Sequence, residues 1–270
     1  MRVTLVSYTQ DALDLLLFTK STRLKLSPRA MEEVKAWSPE KKQAELNYML
    51  GTIKSSWEFC DFVFLIEDVT RAFTHQLVRH RVGTAFAQQA QRVVNMSDFD
   101  YVRTGTIRDA NPADNNLRQV YDDTMEDISG GYKALIAMGA NPQDARGVLP
   151  TNICTNIIFK ANLRTLHHMA AERLCVKAQG EFQDVMRAVR LEVVKVYPWT
   201  EPMLRVHCAA NGVCCFPNYP HTECPVKGGV FNPATGLRYD GSIDLPDTLE
   251  QIHEKWLINR AEAQPKGEIS

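Results

Sequence analysis

The spacing of apolar and polar residues predicts both strands and helices in the first eighty residues. Residues 2–7 alternate as a strand, and residues 10–18 have a helical pattern. Two prolines predict further helix starts, so that helices run from Pro28 to about Trp37 and from Pro39 to Leu50. Residues 59–66 are rich in aromatic and branched side chains and predict a second strand. The period then becomes helical, and one helix face contains Val69, Phe73, Gln76, Leu77 and His80.

The second half of the chain has a mainly helical pattern up to about residue 210. One helix is predicted over about 116–138, and a short one follows before Pro150. Residues 151–173 and 178–197 are both predicted as long helices. Beyond Asn211 the chain is richer in Gly, Pro and Asn, which predicts loop, and a last amphipathic helix is expected over about 247–263. We therefore predict an α+β protein with a main domain over 1–210 and an extension over 211–270.

Composition and charge exclude several classes of protein. The chain has 270 residues, of which 44% are hydrophobic and 23% are charged, and its formal net charge is −1. A general nucleic-acid-binding protein would need a basic surplus. No stretch approaches eighteen consecutive apolar residues, and the N-terminus lacks the pattern of a signal peptide, so no membrane span and no secretion are expected. Seven cysteines, an odd number, favour buried thiols in a reducing cytoplasm.

Positive charge is concentrated in one segment of this nearly neutral chain. Residues 69–97 contain no acid, but they include Arg71, His75, Arg92 and the triplet Arg79-His80-Arg81. An arginine suits bidentate recognition of phosphate, and the neighbouring Gln88, Gln89 and Gln91 have amides suited to the edge of a base. The alternative is a solvated basic helix end that complements the helix dipole.

A second basic block supports the anion-binding interpretation. Between Arg146 and Glu181 the only acid is Glu172, and the apolar helical pattern there is interrupted by polar residues. A basic and amide-rich face in apolar surroundings is expected to contact an anion. Pairing of these arginines with Asp144 or Glu181 is the alternative. The polar residues in question are Asn162, Arg164, His168 and Arg173.

These two blocks resemble the signature segments of the flavin-dependent thymidylate synthase (ThyX) family. "RAFTHQLVRHR" followed by "FAQQAQR" is similar to the family's R-H-R motif with its downstream Ser and Arg. "ARGVLPTNICTNIIFKANLRTLHHMAAERLCVKAQGEF" resembles its second segment, and "SSWEFCDFVFLIED" its Glu-His strand. The resemblance covers residues 1–210.

The resemblance implies an enzyme that methylates C5 of dUMP, UMP or both. It implies FAD as cofactor, NADPH and methylenetetrahydrofolate as co-substrates, a homotetramer, and an α+β fold with a mostly antiparallel sheet and long helices. Arg173 is the implied catalytic residue, stabilising an ionised uracil N3. The implied flavin-binding residues are Ser55, Arg79, His80, Arg81, Gln88, Asn162, Arg164 and His168. The implied nucleotide-binding residues are Gln76, Arg79, Gln88, Gln89, Ala90, Gln91, Arg92, Arg146 and Arg173.

Five positions depart from the family pattern. Ala90 stands in place of Ser, Ala87 of Asn, Val93 of Tyr, His168 of Asn and Lys177 of His. Loss of the Ser hydroxyl removes a hydrogen bond of about 0.5–1.5 kcal/mol, so nucleotide binding is expected to survive. Smaller residues in a nucleotide pocket leave room for a ribose 2′-hydroxyl. They therefore favour a specialised relative that accepts UMP.

Two alternatives to methylation remain open at this point. One is a flavin-dependent hydroxymethylase, and the other is a non-catalytic flavin- or nucleotide-binding relative, which the retained arginines argue against. Neither Cys154 nor Cys224 has the Pro-Cys-His context of a cysteine-dependent synthase, which favours the flavin route.

A group of cysteines and histidines near the C-terminus raises the question of zinc. Its spacing lacks a clean C-x₂-C pair, so we interpret it as loop thiols and expect no metal. The group consists of His207, Cys208, Cys214, Cys215, His221 and Cys224.

Overall fold

A four-stranded antiparallel sheet forms the centre of the protein. The computed structural model describes residues 1–21, 27–111, 116–211 and 214. The strands are hydrogen-bonded in the order β1-β2-β4-β3, and each neighbouring pair is antiparallel. Together with the helices, this sheet confirms the predicted α+β class. The strands are β1 Arg2–Tyr8, β2 Asp61–Thr70, β3 Thr84–Gln88 and β4 Cys154–Asn162.

The helices begin where the sequence signals predicted starts in the N-terminal region. The Ser27 hydroxyl accepts from the Ala30 amide, the Ser38 hydroxyl accepts from the Lys41 amide, and a proline follows each serine. Short 3₁₀ helices occupy Ser55–Phe59, Arg146–Val148 and Pro198–Met203. Within the described residues, the α-helices are α1 Ala12–Lys20, α2 Pro28–Lys35, α3 Pro39–Leu50, α4 Arg71–Leu77, α5 Gly105–Arg108, α6 Leu117–Ala137, α7 Pro142–Ala145, α8 Leu163–Arg173, α9 Gly180–Val196 and α10 His207–Asn211.

The prediction of one long helix over 151–173 was wrong in its first half. Residues Cys154–Asn162 form β4, which pairs with both β2 and β3. Branched and aromatic residues are common in this stretch, and they pack well on a pleated surface. The helix starts only at Leu163, because the Asn162 side chain accepts from the Thr165 amide and caps α8.

The boundary between β2 and α4 also differs from the prediction. Phe59 belongs to a 3₁₀ helix, whereas Val69 and Thr70 belong to the strand, so that α4 begins at Arg71. The pairing of β2 with β4 shifts between Ile66 and Val69, where two residues of β2 face one of β4. Asp68 adopts a left-handed φ of 56° at this bulge, and its amide donates to Asn156 Oδ1 over 2.9 Å.

The two faces of the sheet differ in burial. One face carries Phe62, Phe64 and Phe159, which are almost fully buried against α8 and α9. The Leu5 amide on β1 donates to Glu192 Oε2 on α9 over 2.9 Å, which fixes this helix to the edge strand. The opposite face leaves Ile158 46% exposed, so one side of the sheet lacks a covering layer among the described residues.

A smaller apolar cluster packs α6 against the segment that precedes α5. Met125 on α6 contacts Phe99 and Tyr101 in this cluster. The Asp122 carboxylate accepts from the Tyr101 hydroxyl over 2.9 Å and also pairs with Arg103, whose side chain is 8% exposed. These charge-assisted bonds satisfy the buried guanidinium and fix the register of α6. No helix in the described part of the chain is long and apolar enough to cross a membrane.

Candidate active site

The basic triplet lies in a tight turn after α4, not on the helix itself. Thr70 is the N-cap of α4, and its hydroxyl accepts from the Phe73 amide over 3.0 Å. The His80 amide donates to the Leu77 carbonyl, and the Thr84 hydroxyl donates to the His80 carbonyl over 2.7 Å. The chain therefore turns directly from α4 into β3. The predicted helix face that included Val69 and His80 was therefore wrong at both ends, because the helix runs only from Arg71 to Leu77.

The turn is fixed to the start of α8 by backbone contacts. Gly83 has a left-handed φ of 71°, and its carbonyl accepts from the Asn162 amide over 3.1 Å. The Val82 carbonyl accepts from the Thr165 hydroxyl over 2.7 Å. Asn162 was expected to bind flavin, but its side-chain oxygen is already occupied by the cap of α8. Its position thus sets the distance between the basic turn and α8.

A cavity of about 350 Å³ opens between the basic turn and α8. Five of the expected flavin-binding residues line it, which brings together residues that are far apart in the chain. Glu58 also lines the cavity and forms an ion pair with Arg164. Ser55 lies three residues before Glu58 and is exposed, but it does not line this cavity. The five residues are His80, Arg81, Asn162, Arg164 and His168.

A second cavity of about 460 Å³ lies on the other side of His168. Its lining includes Arg173, Lys177 and His207, and among the described residues Glu172 is the only acid in it. His168 lines both cavities, so the two are neighbours along α8. Three cysteines of this lining, Cys175, Cys208 and Cys214, were not expected at the site.

Arg173 is fixed by an imidazole and an aromatic ring. Its Nε donates to His80 Nε2 over 3.1 Å, and its guanidinium carbon lies 4.6 Å from the centre of the Phe182 ring. The His80 ring also meets the edge of Phe182, at 5.9 Å between ring centres. Burial and the nearby Arg173 charge hold the pKa of His80 below its usual 6.5, although Glu172 acts in the opposite direction. Both effects favour the neutral imidazole, which can accept the hydrogen bond.

Two of the expected nucleotide-binding glutamines are held by protein partners. The Gln76 amide nitrogen donates to Gln179 Oε1. Gln88 donates to the hydroxyl of Thr74 over 3.0 Å and to that of Thr155 over 3.3 Å. These bonds fix the side chains of α4 and β3 relative to each other. No sequence pattern indicated these partners, since each lies on a different element from its glutamine.

Apart from Arg79 in the basic turn, the remaining expected nucleotide-binding residues follow β3 or lie in the 3₁₀ helix after α7. Gln89, Ala90 and Arg92 are exposed, whereas Gln91 is 8% exposed and its buried Nε2 has no partner among the described residues. An unpaired buried amide donor costs free energy, and a ligand that accepts from it would remove this cost. Neither cavity is lined by any of these residues or by Arg146.

Several arginines of the basic blocks lack a carboxylate partner within the described residues. Most other arginines in this part of the chain pair with an acid, as Arg190 does with Glu201. Burial and the positive charge of Arg146 lower the pKa of Arg71. Like charges that are close together without an acid favour an anionic ligand. The unpaired arginines of the basic blocks are Arg71, Arg79, Arg81, Arg92 and Arg146.

A buried carboxylate under α4 has a partner that was not predicted from the sequence. Glu181, 4% exposed, accepts from the Thr70 amide over 2.7 Å and from the Thr70 hydroxyl over 2.5 Å. It does not pair with an arginine, as one alternative had assumed. Burial raises the pKa of Glu181 to about 7, and the two bonds from Thr70 limit the rise. The residue thus links α9 to the helix that carries the basic turn.

Because this pKa is raised in the folded state, Glu181 favours folding most at low pH. Its contribution is complete below about pH 4.5 and is lost as pH rises through about 7. We expect wild type to lose roughly 2–3 kcal/mol of unfolding free energy relative to Glu181→Gln between pH 5 and 8. Urea unfolding at several pH values measures this difference. Glu126→Gln, an exposed position on α6, should differ from wild type by a constant amount, and parallel curves for the two variants would contradict the prediction.

The described residues contain no group of three or more His, Cys, Asp or Glu arranged to hold a metal ion. His207 and Cys208 lie on α10, and Cys214 is also described. Cys215, His221, Cys224 and the expected helix over 247–263 lie outside the described residues. The loop thiols without metal and the last helix, both predicted for this extension, therefore stay predictions.

Comparison with known proteins identifies similar chains. The family model described as "Thymidylate synthase complementing protein" matches residues 4–199. A flavin-dependent thymidylate synthase of Clostridium tetani is 33% identical over 73% of this chain and 84% of its own length. One from Pyrococcus furiosus is 31% identical over 79% of this chain and 89% of its own length.

A solved structure has a similar fold. It is the UMP/dUMP methylase PolB from Streptomyces cacaoi bound with 5-Br dUMP, which superposes with a TM-score of 0.61. The alignment covers 74% of this chain and 93% of that one, at 20% sequence identity. At this identity the likeness concerns the fold.

Proposed function

The chain belongs to the flavin-dependent thymidylate synthase family, and from this premise we propose that it methylates C5 of a uridine monophosphate. Methylenetetrahydrofolate donates the one-carbon unit, and NADPH supplies the electrons through FAD. The observation that carries the proposal is the placement of Arg173, which His80 and Phe182 hold beside two basic cavities.

The residues of the smaller cavity fit a flavin nucleotide. Arg81 has no carboxylate partner among the described residues and can pair with a phosphate, and His168 offers a ring nitrogen. These observations support the assignment of the cavity to FAD. When it is bound, the flavin supplies the hydride that reduces the transferred carbon to a methyl group.

Arg173 performs the electrostatic part of the reaction on the pyrimidine. Its guanidinium stays protonated, so it does not act as a base, but its Nη groups can donate to an ionised uracil N3. Negative charge stabilised at N3 increases electron density at C5, which then attacks the one-carbon unit. This route needs no cysteine nucleophile. The hydrogen bond between Nε and His80 leaves both Nη groups for the substrate.

The unpaired arginines support binding of the nucleotide phosphate. Arg146 and Arg92 are exposed and lack acidic partners among the described residues. The buried, unpartnered Nε2 of Gln91 can donate to a carbonyl oxygen of the base. Gln76 and Gln88 contribute by holding α4 and β3 in place, because their amides are bonded within the protein.

Ala90 supports the inclusion of UMP among the substrates. It is exposed beside Gln91 and has only a methyl side chain where the family has a hydroxyl. Ala87, the second small residue, lies opposite Ile158 on the open face of the sheet, so it does not share the face of Gln88. The space for a ribose 2′-hydroxyl is therefore expected at Ala90.

We also propose that the protein works as a homotetramer, with the uncovered face of the sheet in an interface between copies. This face presents Ala85, Ala87 and Ile158 to solvent, next to Lys160 and Asp61, which pair over 2.5 Å. An apolar surface with a polar border is typical of an interface. We assign residues 1–210 to the catalytic domain and 211–270 to an extension.

The function is tested by incubating the full chain with FAD, NADPH, methylenetetrahydrofolate and either dUMP or UMP. We expect the mass of the nucleotide product to rise by one CH₂ group with both substrates. A product heavier by CH₂O would show hydroxymethylation instead. If bound flavin is present but neither nucleotide reacts, the proposed activity is wrong, and if only dUMP reacts, the inclusion of UMP is wrong.

A further inference from the structure

We propose that His80 is the positioning residue of Arg173 and controls, through its own protonation, whether Arg173 can act. This inference rests on the proposed function, in which Arg173 contacts the pyrimidine. It adds a task for His80 besides lining the flavin cavity. The geometry that carries it is the bond from Arg173 Nε to His80 Nε2, 3.1 Å long.

The bond is possible only for a neutral imidazole. An arginine guanidinium donates and never accepts, so Nε2 must present a lone pair and the ring proton must reside on Nδ1. Protonation of Nε2 would place two donors, both positively charged, against each other. The bond would then break, and Arg173 would lose one of its two attachments.

The second attachment is the ring of Phe182, which both side chains share. Phe182 is 1% exposed and meets Phe73 of α4 edge to face at 4.9 Å. The ring therefore belongs to the rigid core, and it orients the guanidinium plane without bonding to any N–H group. Phe182 fixes where the guanidinium lies, and His80 fixes the direction of its Nε.

The His80–Arg173 pair lies between the two cavities, and this location suggests how the contact affects function. His80 lines the smaller cavity and Arg173 lines the larger one, so the hydrogen bond spans the boundary between them. A change at the flavin side can thus alter the group that faces the nucleotide. The turn that carries His80 is itself anchored to α8 through Val82 and Gly83.

The surroundings of His80 favour the neutral form. Most of the charged groups near it are cationic, and α9 contributes the uncharged Phe182. Burial adds to this effect, and both lower the pKa of His80. The charged and titratable groups around it are Arg79 and Arg81 on its own turn, Glu58 on the 3₁₀ helix, and Arg164, His168, Glu172 and Arg173 on α8.

The first test is the pH profile of methyl transfer in three variants. His80→Gln keeps an acceptor for Arg173 but cannot be protonated, so at pH 8 we expect it to retain more turnover than His80→Ala, and we expect no further loss of turnover as the pH falls. His80→Ala should lose roughly tenfold to a hundredfold in turnover at all pH values, as expected for a hydrogen bond to a charged group. His75 is an exposed histidine on α4, and His75→Gln should lose turnover at low pH as wild type does.

Two outcomes of this test would overturn the inference. One is a fall in turnover at low pH that persists in His80→Gln, and the other is a fall in turnover at low pH that disappears in His168→Gln instead. Flavin content of each variant, measured by absorbance, separates loss of cofactor from loss of Arg173 positioning. A His80→Gln variant that binds no flavin would show that His80 serves the cofactor and would also count against the inference.

A second test does not depend on turnover. Histidine-selective ¹⁵N NMR of the full chain gives the titration and tautomer of His80 in wild type and in Arg173→Met. Removal of the neighbouring charge should raise the pKa of His80 and abolish the preference for the Nδ1-protonated tautomer. An unchanged titration would refute the contact. A changed titration in a protein that methylates no uridine nucleotide would refute the proposed function and leave the contact intact.

Discussion

Replacing Arg173 with lysine is expected to lower kcat/KM for methyl transfer by about a hundredfold to a thousandfold, the usual effect of losing one preorganised donor. Lysine keeps the positive charge, but it cannot donate to His80 through Nε and present two further N–H groups to a pyrimidine. The charge can still lie over Phe182, so the fold should survive. Steady-state kinetics with the better of the two nucleotides measures the effect.

The control for this prediction is Arg29→Lys, an exposed arginine on α2 that pairs with Glu33. Its kinetic constants should match those of wild type. Circular dichroism and flavin absorbance should be unchanged in both variants. If Arg173→Lys retains turnover within threefold of wild type at equal flavin content, the electrostatic role assigned to Arg173 is wrong.

Replacing Gly83 with alanine is expected to lower the free energy of unfolding by about 2–4 kcal/mol. The φ of 71° is a conformation that favours glycine. A Cβ atom would lie 2.5 Å from Thr165 Oγ1 and 2.9 Å from Asn162 Cγ, and closer still to the Asn162 side-chain nitrogen. Relief of this overlap must move either the basic turn or the cap of α8. Flavin affinity should therefore fall together with stability.

Gly131→Ala provides the matched comparison for this substitution. Gly131 lies within α6, and an added Cβ would have no neighbour within 4 Å. Alanine there should raise the free energy of unfolding by about 0.5–1 kcal/mol, because glycine is unfavourable inside a helix. Urea unfolding of both variants tests the pair, and a Gly83→Ala variant as stable as wild type would contradict the structure of the turn.

Local signals in the sequence predicted the helix starts well and the central strand poorly. Ser38 and Pro39 determine a helix start through contacts within a few residues, which a sequence pattern records directly. The stretch Cys154–Asn162 is flanked on both sides by strands that come from elsewhere in the chain. Burial on the sheet decided its structure, whereas the spacing of four between Ile153, Ile157 and Ala161 also fits a helix.

Many residues of the candidate site could be predicted from the sequence, but the contacts between them could not. Five expected residues do line one cavity, because the resemblance located them in two separated blocks. The bond between His80 and Arg173 joins positions 93 residues apart, and the bond between Thr70 and Glu181 joins positions 111 apart. Such partners depend on how β4 brings α8 and α9 against α4. Phe182 was absent from the predicted site for the same reason.

Because of the bulge at Asp68, the position of the active site depends on the number of residues in β2 and in the segment that follows it. The extra residue in β2 turns Val69 toward the core and thereby sets the direction in which α4 leaves the sheet. The other end of the same segment is anchored where Gly83 meets Asn162. The segment from Asp68 to Gly83 is therefore anchored at both ends. We expect an insertion or deletion of a single residue in this segment to move the basic turn, and with it His80, away from Arg173.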